Sequence, residues 1–408
     1  MNGHKRSQGL LDDLETALSR SVEDGTWPGV VVAATNQSGS FRYAKAFGRE
    51  VCTSAAKPLT TKSIMAFASM SKLITTVAAL QLVEKKLVEL NTDVSPLIPG
   101  LARQEILYGW DATTGRPLLH PRHTAITLRS LLTHSSGTAY DMSNSELARF
   151  AAYHGRVPNS GATVDERFGY PLLFEPDTAW EYGTGIDWVG QVVERITGQS
   201  LELYIKRHIW QPLGIERMSF WPTSITGKTR QARMSVRDVV SGAFTELEEP
   251  FLTEGVSECF GGQGIYGCLE EFLQVLHSIL ADDGKLLTGE SIAEIFRPQL
   301  APLSRDSLQR RVRESEPESS FIGIFDNRRL YDWGLGGMLA LENEPLGRRK
   351  NTLFWSGKPN LFWFIDKESD LCGVLGAQFL PPGDQKVARM IEMFEAHLHR
   401  ARCNSQAT

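Results

Sequence analysis

No stretch of the 408-residue chain approaches the roughly 20 consecutive apolar residues that a membrane-spanning helix needs. The segment Met1 to Gly9 is polar and lacks the apolar core of a secretory signal. Cysteine is scarce. Cys52, Cys259, Cys268, Cys372 and Cys403 are odd in number and form no CxxC pair, which excludes a disulfide frame and fits free thiols in a reducing, cytoplasmic setting. Basic residues are outnumbered, 43 Lys and Arg against 48 Asp and Glu, so the net charge of -5 argues against nucleic-acid binding. The nine histidines include no HExxH and no other clear ligand pair, so no metal is expected. Gly227-Lys228-Thr229 has part of a phosphate loop, but Pro222 stands where its first glycine belongs. Gly261-Gly262-Gln263-Gly264 lacks dinucleotide spacing, and no GxSxG exists, which disfavours an α/β-hydrolase elbow. No cofactor is expected.

What remains is an ordinary globular composition, 41% hydrophobic and 22% charged, in a chain long enough for one large domain or two lobes. Leu10, Leu11, Leu14, Leu18 and Val22 recur at helical spacing before Gly25. Pro28 to Ala34 is a β-branched run that reads as a buried strand. With a second strand over Phe41 to Phe47, it predicts a hairpin. Ser69 to Val83 is apolar on nearly every face, the pattern of a central helix. Residues from about Asn91 to Pro250 carry helical patterns broken by long loops. Leu353 to Trp355, Leu361 to Ile365 and Leu371 to Phe379 read as consecutive strands, and Val387 to His399 as a closing helix. The charged segment Arg305 to Ser320 reads as a surface loop. The expected organisation is an α/β lobe from residues 1–90 and 258–408, sharing one sheet, with a mainly helical lobe from residues 91–257 inserted.

Ser69-Met70-Ser71-Lys72 opens the apolar helix. Residues three apart share a helical face, so the Ser69 hydroxyl and the Lys72 amine can meet, while Ser71 is rotated away and is the weaker nucleophile. Burial disfavours a charged lysine and makes it a usable base, and the helix start offers N–H groups to an oxyanion. The plain alternative is that Ser69 caps the helix and Lys72 reaches to water. Taken alone, Tyr182 in Trp180-Glu181-Tyr182-Gly183-Thr184-Gly185 is a core aromatic, and Trp355-Ser356-Gly357-Lys358-Pro359 is a turn. The latter can also present a backbone N–H to a substrate carbonyl.

Together, Ser69-Met70-Ser71-Lys72, Leu131 to Gly137, Tyr182-Gly183-Thr184 and Trp333 to Gly337 come in the order of the class C β-lactamase and penicillin-binding-protein superfamily. The resemblance runs from about Leu10 to His399. Glu258 to Gly264, Arg348-Arg349-Lys350 and Gly357 to Asn360 make the chain most similar to fungal polyketide acyltransferases of the lovastatin type. The resemblance implies a β-lactamase/transpeptidase-like α/β (α+β) fold, an antiparallel sheet flanked by helices plus an inserted helical lobe, with the site in the cleft between. It implies Ser69 as the acylated nucleophile, Lys72 and Tyr182 as proton carriers, and the backbone N–H groups of Ser69 and Lys358 as the oxyanion hole. It makes His134 a structural loop residue.

Two departures stand out. Trp355-Ser356-Gly357 replaces the usual Lys or His, Thr or Ser, then Gly, so a cation for a substrate carboxylate gives way to an apolar ring. Thr184 stands where Asn is common. Both disfavour β-lactams and peptides. The expected activity is transfer of an acyl group from a thioester on an acyl carrier protein or coenzyme A, through Ser69, to a small hydrophobic alcohol. A serine hydrolase and a non-catalytic binding or filament-forming protein are the alternatives. Arg348-Arg349-Lys350, at the far end of the strand leading to Trp355, reads as a solvated strand edge or as a contact for an acidic carrier.

Overall fold

The computed structural model describes residues 2–226, 233–248, 251–253, 255–314, 322–323, 325–344 and 347–406. Its centre is a seven-stranded sheet made from both ends of the chain. From the N-terminal side come β1 (Gly29–Thr35) and β2 (Arg42–Gly48). From the C-terminal side come β3 (Tyr331–Trp333), β4 (Met338–Ala340), β5 (Leu353–Gly357), β6 (Leu361–Asp366) and β7 (Leu371–Gly376). The order is β3-β4-β5-β6-β7-β1-β2, antiparallel throughout. The last strand joins the first, with Val31 opposite Gly376 and Thr35 opposite Cys372.

Every residue of β1 and of β5 to β7 is buried, because helices cover both faces and continuous apolar runs then suit a strand better than alternation. The longest helices of the fold are α1 (Asn2–Glu23), α2 (Ser71–Glu84), α3 (Gly185–Thr197), α4 (Leu269–Ala281), α5 (Pro302–Glu314) and α6 (Gln385–Gln406). In β7, Gly373 lies under Phe394 of α6 and Gly376 under Leu269 of α4. Residues three apart on a strand point to opposite faces, so these helices sandwich the sheet. α1 packs on α6, and α2 runs through the interior against α3. The all-round apolar sequence of α2 is matched by burial of each residue from Ser71 to Leu82.

The segment between β2 and β3 is mostly helical but holds short strands, including a hairpin of residues 106–110 and 117–120. The loop expected over Arg305 to Ser320 is a helix as far as Glu314. α5 buries Ser304, Leu308, Gln309 and Val312, a stripe that its many arginines hide in the sequence, and residues 315–320 lie outside the described residues. Ser304 and Ser307 donate to the carbonyls of Asp177 and Trp180, fastening α5 to the segment that carries Tyr182. Gly227-Lys228-Thr229 also lies outside the described residues, as does the side chain of Cys403. Among the described residues, no helix is long and apolar enough to cross a membrane.

Candidate active site

Ser69 sits in a single 3-10 turn, Ala68–Met70, that leads directly into α2. Ala68 holds a positive φ of 47°, a conformation that costs an alanine energy and is found where the surrounding structure enforces it. One turn on, the Lys72 Nζ lies 3.2 Å from Ser69 Oγ, as the three-residue spacing predicts. Ser71, the other candidate hydroxyl, is buried and accepts the Ile265 amide at 3.0 Å, so it serves packing.

Lys72 is 1% exposed and does not reach to water. Its amine also contacts the Gly262 carbonyl at 2.8 Å and the Tyr140 hydroxyl at 3.1 Å. The Tyr140 hydroxyl in turn donates to Asp187 at 3.2 Å, and Asp187 accepts the Gly262 amide at 2.9 Å. Gly262 is required there, since a Cβ would lie 2.4 Å from the Asp187 carboxylate. Burial, then the Asp187 charge, pushes the Tyr140 pKa well above its ordinary value, so Tyr140 is a neutral phenol. Burial also raises the pKa of Asp187, opposed by the Lys72 charge.

Tyr182 stands on the other side of Lys72, its ring centroid 4.9 Å from Nζ. Its hydroxyl accepts the indole N–H of Trp355 at 3.0 Å and bonds neither Ser69 nor Lys72. His134 packs against Tyr182 with its ring tilted, centroids 4.6 Å apart, and its Nδ1 accepts the Gly183 amide at 3.2 Å. Burial, then the Lys72 charge, holds the His134 pKa well below its ordinary value, so the ring is neutral, and its Nδ1 lone pair is taken by the Gly183 amide.

Trp355, Ser356 and Gly357 end β5 beside the turn that carries Ser69. A Cβ on Gly357 would lie 2.3 Å from the Phe67 carbonyl, so only glycine lets the strand end approach this closely. The next residue, Lys358, follows the end of the ladder and lines the same cavity as Ser69. A cavity of about 230 Å³ opens over this group, lined by Ser69, Tyr140, Tyr182, Trp355, Ser356 and Lys358, with Met142, Leu252 and Ile322 as its apolar walls. A larger cavity of about 850 Å³ lies against α6 and contains none of these motif residues. The Lys358 side chain supplies a positive charge three residues after the motif position that lost one. Burial alone lowers its pKa, and no carboxylate pairs with it among the described residues.

Arg348 overturns its expected place at the surface. It is 2% exposed, paired with Glu395 of α6 at 2.8 Å and stacked 4.0 Å over Phe354. It is an interior bolt between helix and sheet, half-buried Arg349 gives its amide to Asp366, and only Lys350 is exposed. The sequence could not reveal this, because the neutralising Glu395 is distant in the chain.

The profile of the beta-lactamase family matches residues 14–397. The chain belongs to the beta-lactamase family. A lovastatin esterase of Penicillium rubens is 35% identical over 95% of this chain and 98% of its own length. A monacolin J acid methylbutanoyltransferase of Aspergillus terreus is 33% identical, covering 94% of each chain. A mutant simvastatin synthase of Aspergillus terreus superposes with a TM-score of 0.89 at 34% identity, over 96% of this chain and 94% of that one. These likenesses bear out the expected β-lactamase/transpeptidase-like fold.

Three residues of the site escaped the sequence reading. Tyr140 follows the Leu131 to Gly137 motif by three positions, Asp187 is a lone carboxylate among Ile186, Trp188 and Val189 in α3, and Gly262 was valued only as part of a glycine run. An acid set among apolar residues in the first turn of α3 was the available signal, since a buried carboxylate needs a partner.

Proposed function

We propose that this beta-lactamase-family chain is an acyltransferase. It would carry an acyl group from a thioester, on an acyl carrier protein or coenzyme A, through a Ser69 acyl-enzyme to a hydroxyl of a secondary metabolite. The observation that carries the reading is the Ser69 Oγ to Lys72 Nζ contact of 3.2 Å at the cavity floor. The transferase named among its relatives supports transfer as the outcome.

The hydrogen-bond inventory leaves room for Lys72 to act as base in its neutral form. The Gly262 carbonyl can only accept, and Tyr140, donating to Asp187, accepts from Lys72 as well. A neutral amine has two N–H groups for these partners and one lone pair left, which faces the Ser69 hydroxyl. Ser69 Oγ attacks the thioester carbonyl and its proton passes to Lys72. The oxyanion lies against the N–H groups of Ser69 and Lys358. Collapse breaks the C–S bond, and the thiolate leaves with the proton. Tyr182, whose hydroxyl is polarised by the Trp355 N–H, then takes the proton of the incoming alcohol while giving up its own hydrogen to the neutral Lys72 amine, which hands a proton to Ser69 Oγ as the acyl-enzyme C–O bond breaks. The new ester forms as Ser69 recovers its hydrogen. Tyr140 positions Lys72 and does not itself transfer a proton.

The acceptor is a hydroxy acid in this reading. The half-buried Lys358, with no carboxylate partner among the described residues, suits a carboxylate, and the related transferase is named for monacolin J acid. The free thiols Cys52, Cys259, Cys268 and Cys372 support a cytoplasmic setting. A second reading, ester hydrolysis, is favoured by the 35% identical lovastatin esterase. The two separate by product. Incubation with acyl thioesters and hydroxy acids, followed by mass analysis, yields the new ester under transfer, whereas release of free acid at the same rate with and without acceptor overturns it.

A further inference from the structure

A second group of chemistry-bearing side chains lies outside the cavity, on the hairpin of residues 106–110 and 117–120. His120 ends the second strand opposite Ile106, and Ile106 is bridged on its other side to Leu172, three residues before Glu175. Pro121 and Arg122 then turn the chain so that His123 follows. One ligand atom each from His120, His123 and Glu175 lies within 4.8 Å of the other two. No hydrogen bond or ion pair joins the three side chains to one another; Glu175 is drawn to His123 through the His123 amide and charge, and nothing of that kind holds His120 to either.

Two of the three ligands are already oriented. His120 Nδ1 lies 2.8 Å from the Pro121 carbonyl, which can only accept, so Nδ1 carries the hydrogen and Nε2 of the neutral ring keeps its lone pair. This is the arrangement by which an outer partner fixes the tautomer of a metal-binding histidine. The Glu175 carboxylate is held by the amides of His123, at 2.9 and 3.2 Å, and Thr124, at 3.1 Å, and retains free lone pairs. The rings of His120 and His123 stack at 20°. The intervening cation does not intrude: Arg122 is turned away to Ser95 Oγ at 2.6 Å and to the carbonyls of Ala102 and Gln104.

We propose that His120, His123 and Glu175 bind one divalent cation of the zinc class, with water completing the coordination. Two imidazoles and a carboxylate are borderline ligands, suited to zinc and not to magnesium or calcium. Bonds of ~2.0–2.2 Å require the ligand atoms to draw together by about 1 Å, within reach of a rotation of the exposed His123 ring. The bound ion ties the hairpin to the segment that runs from Leu172 to Tyr182, so it stiffens the scaffold of the cavity without touching its chemistry.

The test uses the full chain after chelator treatment, titrated calorimetrically with zinc chloride alone, with melting temperature as a second readout. One equivalent binds with a Kd of about 1 μM or tighter and raises the melting temperature. His123→Ala, a change at an exposed ring that leaves the fold intact by circular dichroism, weakens binding at least about tenfold and removes the rise. His120→Gln does the same, and magnesium chloride reproduces neither effect. The proposal is overturned if no saturable equivalent binds. It is equally overturned if both variants bind zinc as the native chain does, or if magnesium binds equally, which would reduce the group to a solvated polar cluster. None of these outcomes depends on the acyl-transfer reading.

Discussion

At the scale of single residues, two tyrosines flank Lys72 and differ in what their hydroxyls meet. Tyr140 is enclosed and spends its only hydrogen on Asp187, while Tyr182 faces the cavity and takes its hydrogen bond from Trp355. Tyr182→Phe is therefore expected to cut transfer to the alcohol on the order of 10²-fold or more, with acylation of Ser69 less affected. Rapid-mixing measurement of the two half-reactions checks this, and normal turnover in Tyr182→Phe removes that tyrosine from the proton path. Lys358 gives a prediction of a different kind. Its backbone N–H survives any side-chain change, so Lys358→Met leaves the proposed oxyanion hole in place while deleting the amine. The KM for a hydroxy-acid acceptor rises about tenfold or more, and the KM for the methyl ester of the same acceptor does not. Equal KM changes for both acceptors would show that Lys358 does not read the carboxylate.

Between elements, the joint of α6 to the sheet depends on buried charges that the sequence hides. A run of three cations is usually solvated, which is why Arg348 reads as a surface residue until Glu395 and Phe354 are seen around it. His399 of α6 and Asp366 of β6 form a second buried pair, 3.0 Å apart. Burial pulls the His399 pKa down, but the Asp366 hydrogen bond and charge outweigh it, and the net shift is upward. Burial pushes Asp366 up, but His399 and the amides of Ser369 and Arg349 outweigh that, and the net shift is downward. The raised histidine contributes stability in full below its ordinary 6.5 and loses it as pH climbs through the raised value. The depressed aspartate contributes above its ordinary 3.8 and loses it as pH falls through the lowered value. The pair thus stabilises most between those limits. The stability difference between the native chain and His399→Gln, followed by denaturant unfolding, is largest there and shrinks on the alkaline side; a difference that grows with pH would contradict the assignment.

Over the whole molecule, the features most legible in the sequence were those governed by hydrophobic pattern. The β-branched run of β1, the unbroken apolar strands β5 to β7 and the all-round apolar α2 each announce burial on two faces, and the sheet and central helix follow. Ser69 and Lys72 were legible because one helical turn joins them. Tyr140, Asp187 and Gly262 were not, because they converge on Lys72 from three separate segments and no local spacing records that. The arrangement also sets what the cavity rejects. Trp355 fills the motif position where a cation would greet a β-lactam carboxylate, and its N–H is committed to Tyr182. Nitrocefin is accordingly expected to turn over poorly, at least about 10²-fold below the best thioester in kcat/KM, and efficient hydrolysis would favour a lactamase-like enzyme. The account rests most heavily on Ser69 as the residue that carries the acyl group. Intact mass spectrometry after brief exposure to an acyl thioester tests this directly, with peptide mapping of the adduct. The account predicts one acyl group per chain, located on Ser69, discharged by a hydroxy acid and absent from Ser69→Ala; an adduct that persists in Ser69→Ala, or maps to any other residue, would contradict it.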